Sequence, residues 1–292
     1  MPIYSLNGNQ LYTAYDISGD GLYDAYDING DLVFATTPTI LKVMTYNVGQ
    51  WYIGDSTLVP ANKKAEYYNL QTNIFEAHHP DVLFIQEYRD PWCRDGSPAS
   101  DLLGAFFNDQ EVTNNSGYIG HSICTKDLPI VNYTSHNFPS NSGSYPTYET
   151  ATITVDERTI NIINTHHDYR TSYQPSEIST ILSAIHNMDY FILCGDFNTN
   201  IYYPTDFNDT STSQYIANIK PFVDAGYHVG NCGTAWLKTY YGDTESTYAA
   251  RDNIITSSNI YINSIYVDES KLNDNIGDKI DHIPLIAELI IR

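Results

Sequence analysis

The chain has little positive charge. It carries 14 Lys and Arg residues against 35 Asp and Glu in 292 positions, which gives a formal net charge of −21. This excess of negative charge repels polyanions at long range and argues against a broad basic surface for nucleic acid. It does not exclude a phosphate substrate that metal ions hold locally, because a bound cation dominates the electrostatics of its own site.

Cysteine is also scarce. The four cysteines are widely spaced and form no C-x-x-C pair, so we expect no zinc cluster. Cys194 lies inside an apolar run, and we expect it to be a small buried core residue.

Long apolar runs are missing as well. No segment is long and apolar enough to cross a bilayer, and residues 1–7 lack the basic and apolar regions of a signal peptide. We therefore expect a soluble protein, either cytoplasmic or part of a larger bacterial or phage assembly. The 42% hydrophobic content and the 26 tyrosines indicate a folded chain that is rich in strands.

Residues 1–34 contain a repeat with an offset of 11 residues, so that residues 11–21 and 22–32 have the same pattern. Each copy alternates apolar and polar residues and ends in a Gly-containing turn, which predicts short strands joined by tight turns. The paired Asp residues loosely resemble a calcium loop, but its distal Glu is absent, so we expect turns rather than Ca²⁺ sites. So small a repeat buries little core alone. We expect an appendage that packs on the main domain, binds an attachment partner or self-associates.

Residues 35–40 have the composition of a linker, and residues 41–292 form the main domain. Apolar or alternating runs predict strands at 41–48, 81–85, 148–155, 159–165, 191–194, 251–255, 259–267 and 281–291. Helices are predicted at 62–78, 98–110 and 175–186. Pro284 indicates that the last strand lies at a sheet edge or begins irregularly.

Polar residues recur where the apolar strands end. In the clearest case, residues 191–194 lead into Gly195, Asp196, Phe197 and Asn198. A carboxylate at such a strand end can accept a proton from water, and the nearby amide can hold that water or its target. Taken alone, the same four residues are also compatible with a simple turn. Polar residues follow other strands at Asn47, Glu87, His166, Asp252, Asp281 and His282.

The order and context of these residues resemble the endonuclease/exonuclease/phosphatase superfamily, which has the DNase I-like fold. The matching segments lie within residues 41–292 and are Thr45-Tyr46-Asn47, Ile85-Gln86-Glu87, 120–130, Asn164-Thr165-His166, Gly195-Asp196-Phe197-Asn198, Asp252-Asn253-Ile254 and Asp281-His282. The resemblance implies the fold class α/β (α+β): a four-layer α/β/β/α sandwich of two packed mixed sheets. It also implies hydrolysis of a phosphate ester with a divalent cation, Mg²⁺ or Mn²⁺.

Carried over position by position, the resemblance implies a metal site at Glu87, Asn47 and Asp281. Hard oxygen ligands of this kind suit magnesium. Asp196 would activate or orient the attacking water, and Asn198 would help to hold the phosphate.

The resemblance implies further catalytic roles for two histidines and one acid. His282 would lie beside the scissile phosphate, with its tautomer fixed by an acidic neighbour. His166 would protonate or stabilise the leaving oxygen, and Asp252 would orient the catalytic groups. A cation and an imidazolium stabilise the charge that in-line attack adds at phosphorus, while a carboxylate removes the proton of the water.

The other histidines lack this context. His167 and Asp168 depart from the family pattern, in which an apolar residue usually follows the first His. We favour a core position for His167 over an extra phosphate or metal contact. We expect structural or surface roles for His78, His79, His121 and His136.

The first functional interpretation is a metal-dependent endonuclease or exonuclease. One alternative is a sphingomyelinase-like phospholipid phosphodiesterase or a small-molecule phosphatase, although residues 248–253 lack the Trp-Cys-Asp-Arg signature of inositol phosphatases. A second alternative is a non-catalytic binding protein that attaches through the repeat. The tyrosines at 202–203 and 240–241 could stack on bases or line a lipid-facing edge, but we favour an ordinary packed surface.

Overall fold

The computed structural model describes most of the main domain and short parts of the N-terminal region. The described residues are 3–4, 10–11, 25–26, 32–34, 39–49, 64–88, 99–113, 120–138, 147–207, 209–232, 236–241, 248–270 and 281–291. The strands are β1 (Ile3–Tyr4), β2 (Gln10–Leu11), β3 (Ala25–Tyr26), β4 (Leu32–Phe34), β5 (Thr39–Asn47), β6 (Val82–Tyr88), β7 (Asp109–Thr113), β8 (Gly120–Thr125), β9 (Val131–Asn137), β10 (Thr147–Val155), β11 (Arg158–His166), β12 (Phe191–Tyr202), β13 (His228–Val229), β14 (Ala249–Thr256), β15 (Ile260–Val267) and β16 (Leu285–Ile291). The helices are α1 (Lys64–His78), α2 (Ala99–Gly104), α3 (Gln174–Ile185) and α4 (Lys220–Asp224), with a π-helical turn at Tyr215–Ile219.

The main domain contains two six-stranded sheets, each built around one pair of parallel strands. β5 and β6 pair in parallel and are connected through α1, and β11 and β12 pair in parallel and are connected through α3. All other pairs are antiparallel, and the strand orders are β15-β16-β5-β6-β8-β7 and β13-β14-β12-β11-β10-β9. The carboxyl ends of parallel strands lie at the same edge of a sheet. Each βαβ unit therefore presents two strand ends side by side.

The two sheets pack face to face and carry helices on their outer faces. The apolar cluster between the sheets includes Val43, Phe84, Ile162, Ile192 and Leu285. Apolar residues of α1 pack on the outer face of one sheet, and those of α3 pack on the outer face of the other. The four-layer α/β/β/α sandwich is confirmed. The apolar runs of the central strands follow from their burial on both faces.

The two strands predicted at residues 148–155 and 159–165 form a β-hairpin. β10 and β11 pair antiparallel up to Val155 and Arg158. The two residues of the turn, Asp156 and Glu157, have φ angles of 47° and 64°. Positive φ at both central residues matches the right-handed twist of the flanking strands.

The prediction of a helix over residues 98–110 is wrong for the second half of this segment. The helix ends at Gly104, and Asp109–Thr113 forms β7 at the edge of its sheet. This segment is polar and becomes a strand because it pairs with β8, a long-range contact that local sequence does not encode.

Both ends of the main domain also differ in part from expectation. Thr39 and Ile40 belong to β5 rather than to the linker expected over 35–40. The last strand lies between β15 and β5, so Pro284 marks an irregular start and not a sheet edge.

The strand that was expected to stop before Asp196 continues to Tyr202. Its register with β14 shifts between Asp196 and Ile201. Asp196 and Asn198 therefore lie within the strand at an irregularity, not beyond its end. Such irregularities redirect side chains and are frequent next to active sites.

We expect Gly195→Ala to lower the free energy of unfolding by about 3 kcal/mol. Gly195 has a φ angle of +152°, and a Cβ atom there would lie 1.9 Å from the carbonyl oxygen of Thr165. The carbonyl belongs to the backbone of β11 and cannot move without disturbing the sheet. Urea denaturation measures the change, with Gly104→Ala as the control because a Cβ there meets no atom within 4 Å. Equal effects of the two substitutions would contradict the prediction.

A polar network crosses the otherwise apolar space between the sheets. Nε2 of Gln86 donates to Oδ1 of Asn164 at 2.7 Å, and Nδ2 of Asn164 donates to Oε2 of Glu149 at 3.2 Å. Oε1 of Glu149 accepts a hydrogen bond from the hydroxyl of Tyr133 at 2.7 Å. Because buried polar groups need hydrogen-bond partners, the network fixes β6 against β10 and β11 close to the strand ends.

We expect Glu149→Gln to make stability less dependent on pH. Burial raises the pKa of Glu149 to about 7 from an ordinary value of 4.5, although hydrogen bonds from Thr113, Tyr133 and Asn164 lower it. The stabilising effect of the protonated carboxyl is therefore complete below pH 4.5 and is lost as the pH rises through 7. The unfolding free energy of the variant minus that of the native chain should rise by about 3 kcal/mol over this window.

Urea denaturation at several pH values tests this effect of Glu149. Glu157→Gln in the exposed hairpin turn controls for the loss of one carboxylate. If the difference between the Glu149→Gln variant and the native chain is the same at every pH, the assignment is wrong.

The N-terminal region is described only in part. The described backbone forms two antiparallel pairs, β1 with β2 and β3 with β4. Most of the repeat, including its paired Asp residues, lies outside the described residues, and its roles in attachment or self-association stay predictions. Among the described helices, none is long and apolar enough to span a membrane.

Candidate active site

The polar residues that follow the strands meet at one edge of the sandwich. The first βαβ unit brings Asn47 and Glu87 there, and the second brings His166 and Asp196. Hydrogen bonds and electrostatic contacts join every residue that the sequence predicted for the site: Asn47, Glu87, His166, Asp196, Asn198, Asp252, Asp281 and His282.

His166, Asp196 and Asp252 form a row across three neighbouring strands. His166 lies opposite Asp196 in the parallel pair β11–β12, and Asp196 lies opposite Asp252 in the antiparallel pair β12–β14. Nε2 of His166 is 3.5 Å from Oδ2 of Asp196. The sheet register thus places two acids and an imidazole next to one another.

Asn47 connects the two sheets. Its Nδ2 donates to Oε1 of Glu87 at 3.2 Å and to Oδ2 of Asp196 at 3.0 Å. Its Oδ1 accepts a hydrogen bond from the backbone N of Gly49 at 3.0 Å. The side chain is only 1% exposed, and its bonds fix the distance between two acids that belong to different sheets.

His282 lies between two carboxylates. Its Nδ1 is 2.8 Å from Oδ2 of Asp252, and its Nε2 is 3.5 Å from Oδ2 of Asp196. Burial lowers the pKa of the imidazole, but Asp252 and Asp196 raise it by more, to about 9. Both ring nitrogens therefore carry a proton at neutral pH, and the Nδ1–H donates to Asp252.

Asp196 is an ionised carboxylate held in a fixed position. Burial raises its pKa, but the nearby positive charges, that of His282 above all, outweigh burial and hold the pKa below its ordinary value. Its Oδ1 accepts a hydrogen bond from the backbone N of Asn198 at 2.7 Å. The carboxylate can therefore accept a proton from a water molecule at neutral pH.

Glu87 has a buried carboxylate oxygen, Oε2, without a hydrogen-bond partner among the described residues. Its φ angle is 58°, and the register with β8 shifts between Gln86 and Tyr88. This bulge redirects the side chain. Burial and then the charge of Asp281 raise the pKa of Glu87 to about 7. A hard divalent cation fits here, because it would complete the coordination of Oε2 and neutralise the neighbouring acids.

A second group of possible ligand atoms lies close by. One atom each from Asp196, Asp252 and His282 lie within 4.8 Å of one another, near enough to share a cation. Protons on both nitrogens of His282 oppose that use of the imidazole. Because Oε2 of Glu87 has no hydrogen-bond partner among the described residues, Glu87, Asn47 and Asp281 are the better candidate ligands for a cation.

Asn198 is anchored by His167 and by Gln174, of which the sequence did not single out Gln174. Its φ angle is 47°, and its Nδ2 donates to the carbonyl of His167 at 2.8 Å. Its own carbonyl accepts a hydrogen bond from Nε2 of Gln174 at 2.9 Å, and the same nitrogen donates to the carbonyl of Asp168 at 2.8 Å. Gln174 thus fixes both segments beside the site, and no local pattern identifies it.

Two histidines next to the site are buried. His167 stacks on Phe197 with ring centroids 5.0 Å apart, and its Nδ1 is 3.3 Å from Oε2 of Glu177. It occupies the core position that the sequence favoured. His121 packs edge-on against His166, with centroids 5.7 Å apart. His121 therefore restricts the position of the His166 ring. Nothing in the sequence around His121 indicates that it lies next to the site.

The fold is similar to those of several solved structures. No protein-family model and no curated protein matches the sequence. The solved structure of D. rerio TDP2 complexed with single strand DNA product is 13% identical, covers 86% of this chain and 99% of its own, and gives a TM-score of 0.64. The human Nocturnin catalytic domain with bound sulfate is 15% identical, with coverages of 88% and 97% and a TM-score of 0.62. An endonuclease/exonuclease/phosphatase from Bacteroides vulgatus is 14% identical, with coverages of 87% and 100% and a TM-score of 0.62.

Proposed function

Since the chain has the endonuclease/exonuclease/phosphatase, or DNase I-like, fold, we propose that it is a divalent-metal-dependent phosphodiester hydrolase that acts on nucleic acid. The observation that carries the proposal is the amide of Asn47, which joins Glu87 to Asp196 across the two sheets. His282 lies beside the same oxygen of Asp196. A water-activating acid, an imidazolium and an unpaired metal-ligand oxygen thus converge, as hydrolysis of a phosphate ester requires.

Asp196 orients the attacking water and takes its proton as the bond to phosphorus forms. The carboxylate is suited to this step because it stays ionised at neutral pH and is held by Asn47 and by the backbone of Asn198. The second hydrogen on Nδ2 of Asn198 is a donor for a phosphate oxygen.

The two site histidines act on different oxygens of the phosphate ester. The Nε2–H of His282 donates to a non-bridging phosphate oxygen, and Asp252 keeps the ring in orientation through Nδ1. Burial holds the pKa of His166 below its ordinary value, although Asp196 raises it. His166 is therefore neutral and stabilises the leaving oxygen by a hydrogen bond rather than by charge.

Glu87, Asn47 and Asp281 are the residues proposed to hold Mg²⁺ or Mn²⁺. When bound, such a cation offsets the negative charge that develops on the phosphate. Glu87 offers Oε2, and Oδ1 of Asn47 retains one lone pair beyond its bond to Gly49.

The test is incubation with single-stranded DNA, RNA and supercoiled plasmid in the presence of Mg²⁺ or Mn²⁺. We expect cleavage that is lost with a chelator and in the Asp196→Asn variant. Cleavage that persists with chelator would overturn the metal dependence. If the folded protein cleaves no polymer but releases choline phosphate from sphingomyelin vesicles, the nucleic-acid assignment is wrong.

A further inference from the structure

We propose that a surface of tyrosines and cations beside His282 binds the unpaired nucleotides next to the scissile phosphate, so that the substrate is single-stranded nucleic acid. This inference rests on the proposed function and specifies its substrate. The surface comes from the end of β12, the segment before β14 and β14 itself. We call it the tyrosine–cation patch, and its members are Tyr203, Lys238, Tyr240, Tyr241, Tyr248 and Arg251.

The patch adjoins the catalytic groups directly. The ring centroid of Tyr240 is 5.2 Å from that of His282, and the backbones of the two residues form a β-bridge. The backbone N of Tyr241 donates to the carbonyl of Asp281 at 2.6 Å. Arg251 immediately precedes Asp252 in β14. A strand whose phosphate lies at His282 therefore passes over these rings.

Lys238 lies among three tyrosine rings. Its Nζ is 4.7 Å from the ring centroid of Tyr203, 5.6 Å from that of Tyr241 and 5.9 Å from that of Tyr248. Within the described part of the chain it forms no ion pair, whereas Arg170 and Lys220 are each paired with an Asp. In a chain with a net charge of −21, a half-buried ammonium that pairs with no carboxylate of the described residues is available to a phosphate.

Arg251 provides a flat cationic surface. Its guanidinium carbon is 3.4 Å from the ring centroid of Tyr240, and its Nε has no hydrogen-bond partner among the described residues. Nucleic-acid bases stack on guanidinium planes and on aromatic rings. A stacked guanidinium next to the scissile phosphate thus supplies both a stacking plane and a charge.

The cations distinguish between ligand classes. An aromatic site for the quaternary ammonium of choline needs ring faces that are free of other cations. Here Lys238 and Arg251 already lie over the rings and would repel choline. A duplex keeps its base faces inside the helical stack, so only unpaired bases can reach the patch. The sequence alone favoured an ordinary packed surface for Tyr203 and Tyr240, and the position of the two cations changes that interpretation.

The first test measures binding of a labelled oligothymidylate by fluorescence anisotropy in Mg²⁺, in an Asp196→Asn background that prevents cleavage. We expect Lys238→Gln to weaken binding about 5-fold and to reduce the slope of log affinity against log salt by about 0.7. Lys238→Arg should restore the slope. The matched control is Lys126→Gln, which removes an exposed charge just beyond β8, at the opposite end from Glu87. If both Gln variants change binding equally, the patch is not the binding surface.

The second test separates stacking from charge. An abasic oligomer of equal length keeps the phosphates and lacks the bases. We expect the protein to bind it about 10-fold more weakly than oligothymidylate, and Tyr248→Leu to reduce that preference. Equal binding of abasic, single-stranded and duplex DNA would overturn the proposal, as would tight binding of sphingomyelin vesicles that is independent of Lys238.

The two proposals fail in different ways. If Lys238→Gln and Tyr248→Leu bind and cleave single strands like the native chain, the patch assignment is wrong while the hydrolase remains. If the native chain cleaves no phosphodiester at all, the proposed function itself is wrong.

Discussion

Asp196→Asn should lower kcat for phosphodiester hydrolysis by about 10³-fold and leave the fold intact. The amide has the same shape as the carboxylate but cannot take a proton from the attacking water. Oδ2 of Asp196 accepts a hydrogen bond from Asn47 and lies 3.5 Å from Nε2 of both His166 and His282. In the variant, an NH₂ group or a neutral oxygen takes the place of this charged oxygen. The loss is therefore expected in kcat, because the charge matters most in the transition state.

Steady-state kinetics on a single-stranded substrate, with circular dichroism to verify folding, measures the effect. Asp156→Asn is the matched control, since Asp156 lies in the exposed turn at the end of β11 opposite to His166. We expect that control to retain the native rate. If the folded Asp196→Asn variant keeps the native kcat, Asp196 does not take the proton of the attacking water.

Glu87→Gln should abolish the stabilisation of the protein by Mg²⁺ and lower metal-dependent hydrolysis by a similar factor of about 10³. Oε2 of Glu87 is buried without a hydrogen-bond partner among the described residues, and Asp281 repels the same carboxylate. The amide removes that repulsion but cannot replace an anionic ligand. In chelator the variant should therefore unfold at a higher temperature than the native chain, and in Mg²⁺ the order should reverse.

Thermal unfolding with and without metal measures this reversal independently of activity. At a metal concentration of 100 times Kd, the native chain should gain about 3 kcal/mol. Glu76→Gln on the exposed side of α1 serves as the control and should respond to Mg²⁺ like the native chain. A native gain from Mg²⁺ that Glu87→Gln keeps in full would exclude Glu87 as a ligand.

The sequence and the family resemblance predicted the candidate site residues, but not how these residues contact one another. Asn47 and Glu87 could be predicted because each lies near the end of a predicted strand and within a segment that matches the family. Nothing local indicates that the amide of Asn47 spans from Glu87 to Asp196, since those contacts depend on how the two sheets pack. His121 and Gln174 reach the site only through packing, and so no motif identifies them.

Strands that are buried on both faces could be predicted from the sequence. Strands that form only because they pair with a distant strand could not. The central strands are apolar on both faces, and their positions follow from the apolar runs in the sequence. β7 is polar and depends on pairing with β8, so its first two residues were assigned to the helix predicted over 98–110. The continuation of β12 past Asp196 depends on pairing with β14 after the register shift. The family resemblance, more than periodicity, supplied the four-layer arrangement.

The position of β16 has a consequence for how the chain acquires its structure. This strand, at residues 285–291, inserts between β15 and β5, and β5 is the first strand of the same sheet. Completion of the sheet therefore requires two segments more than 230 residues apart to pair, as Leu285 does with Thr45. Contacts of such long sequence separation slow folding, because the entropy of closing the loop is lost before the contact stabilises the chain. During synthesis, the edge of β5 that pairs with β16 stays unpaired until residues 285–291 have left the ribosome. His282 lies three residues before β16, so the candidate site stays incomplete until this part of the chain has been synthesised.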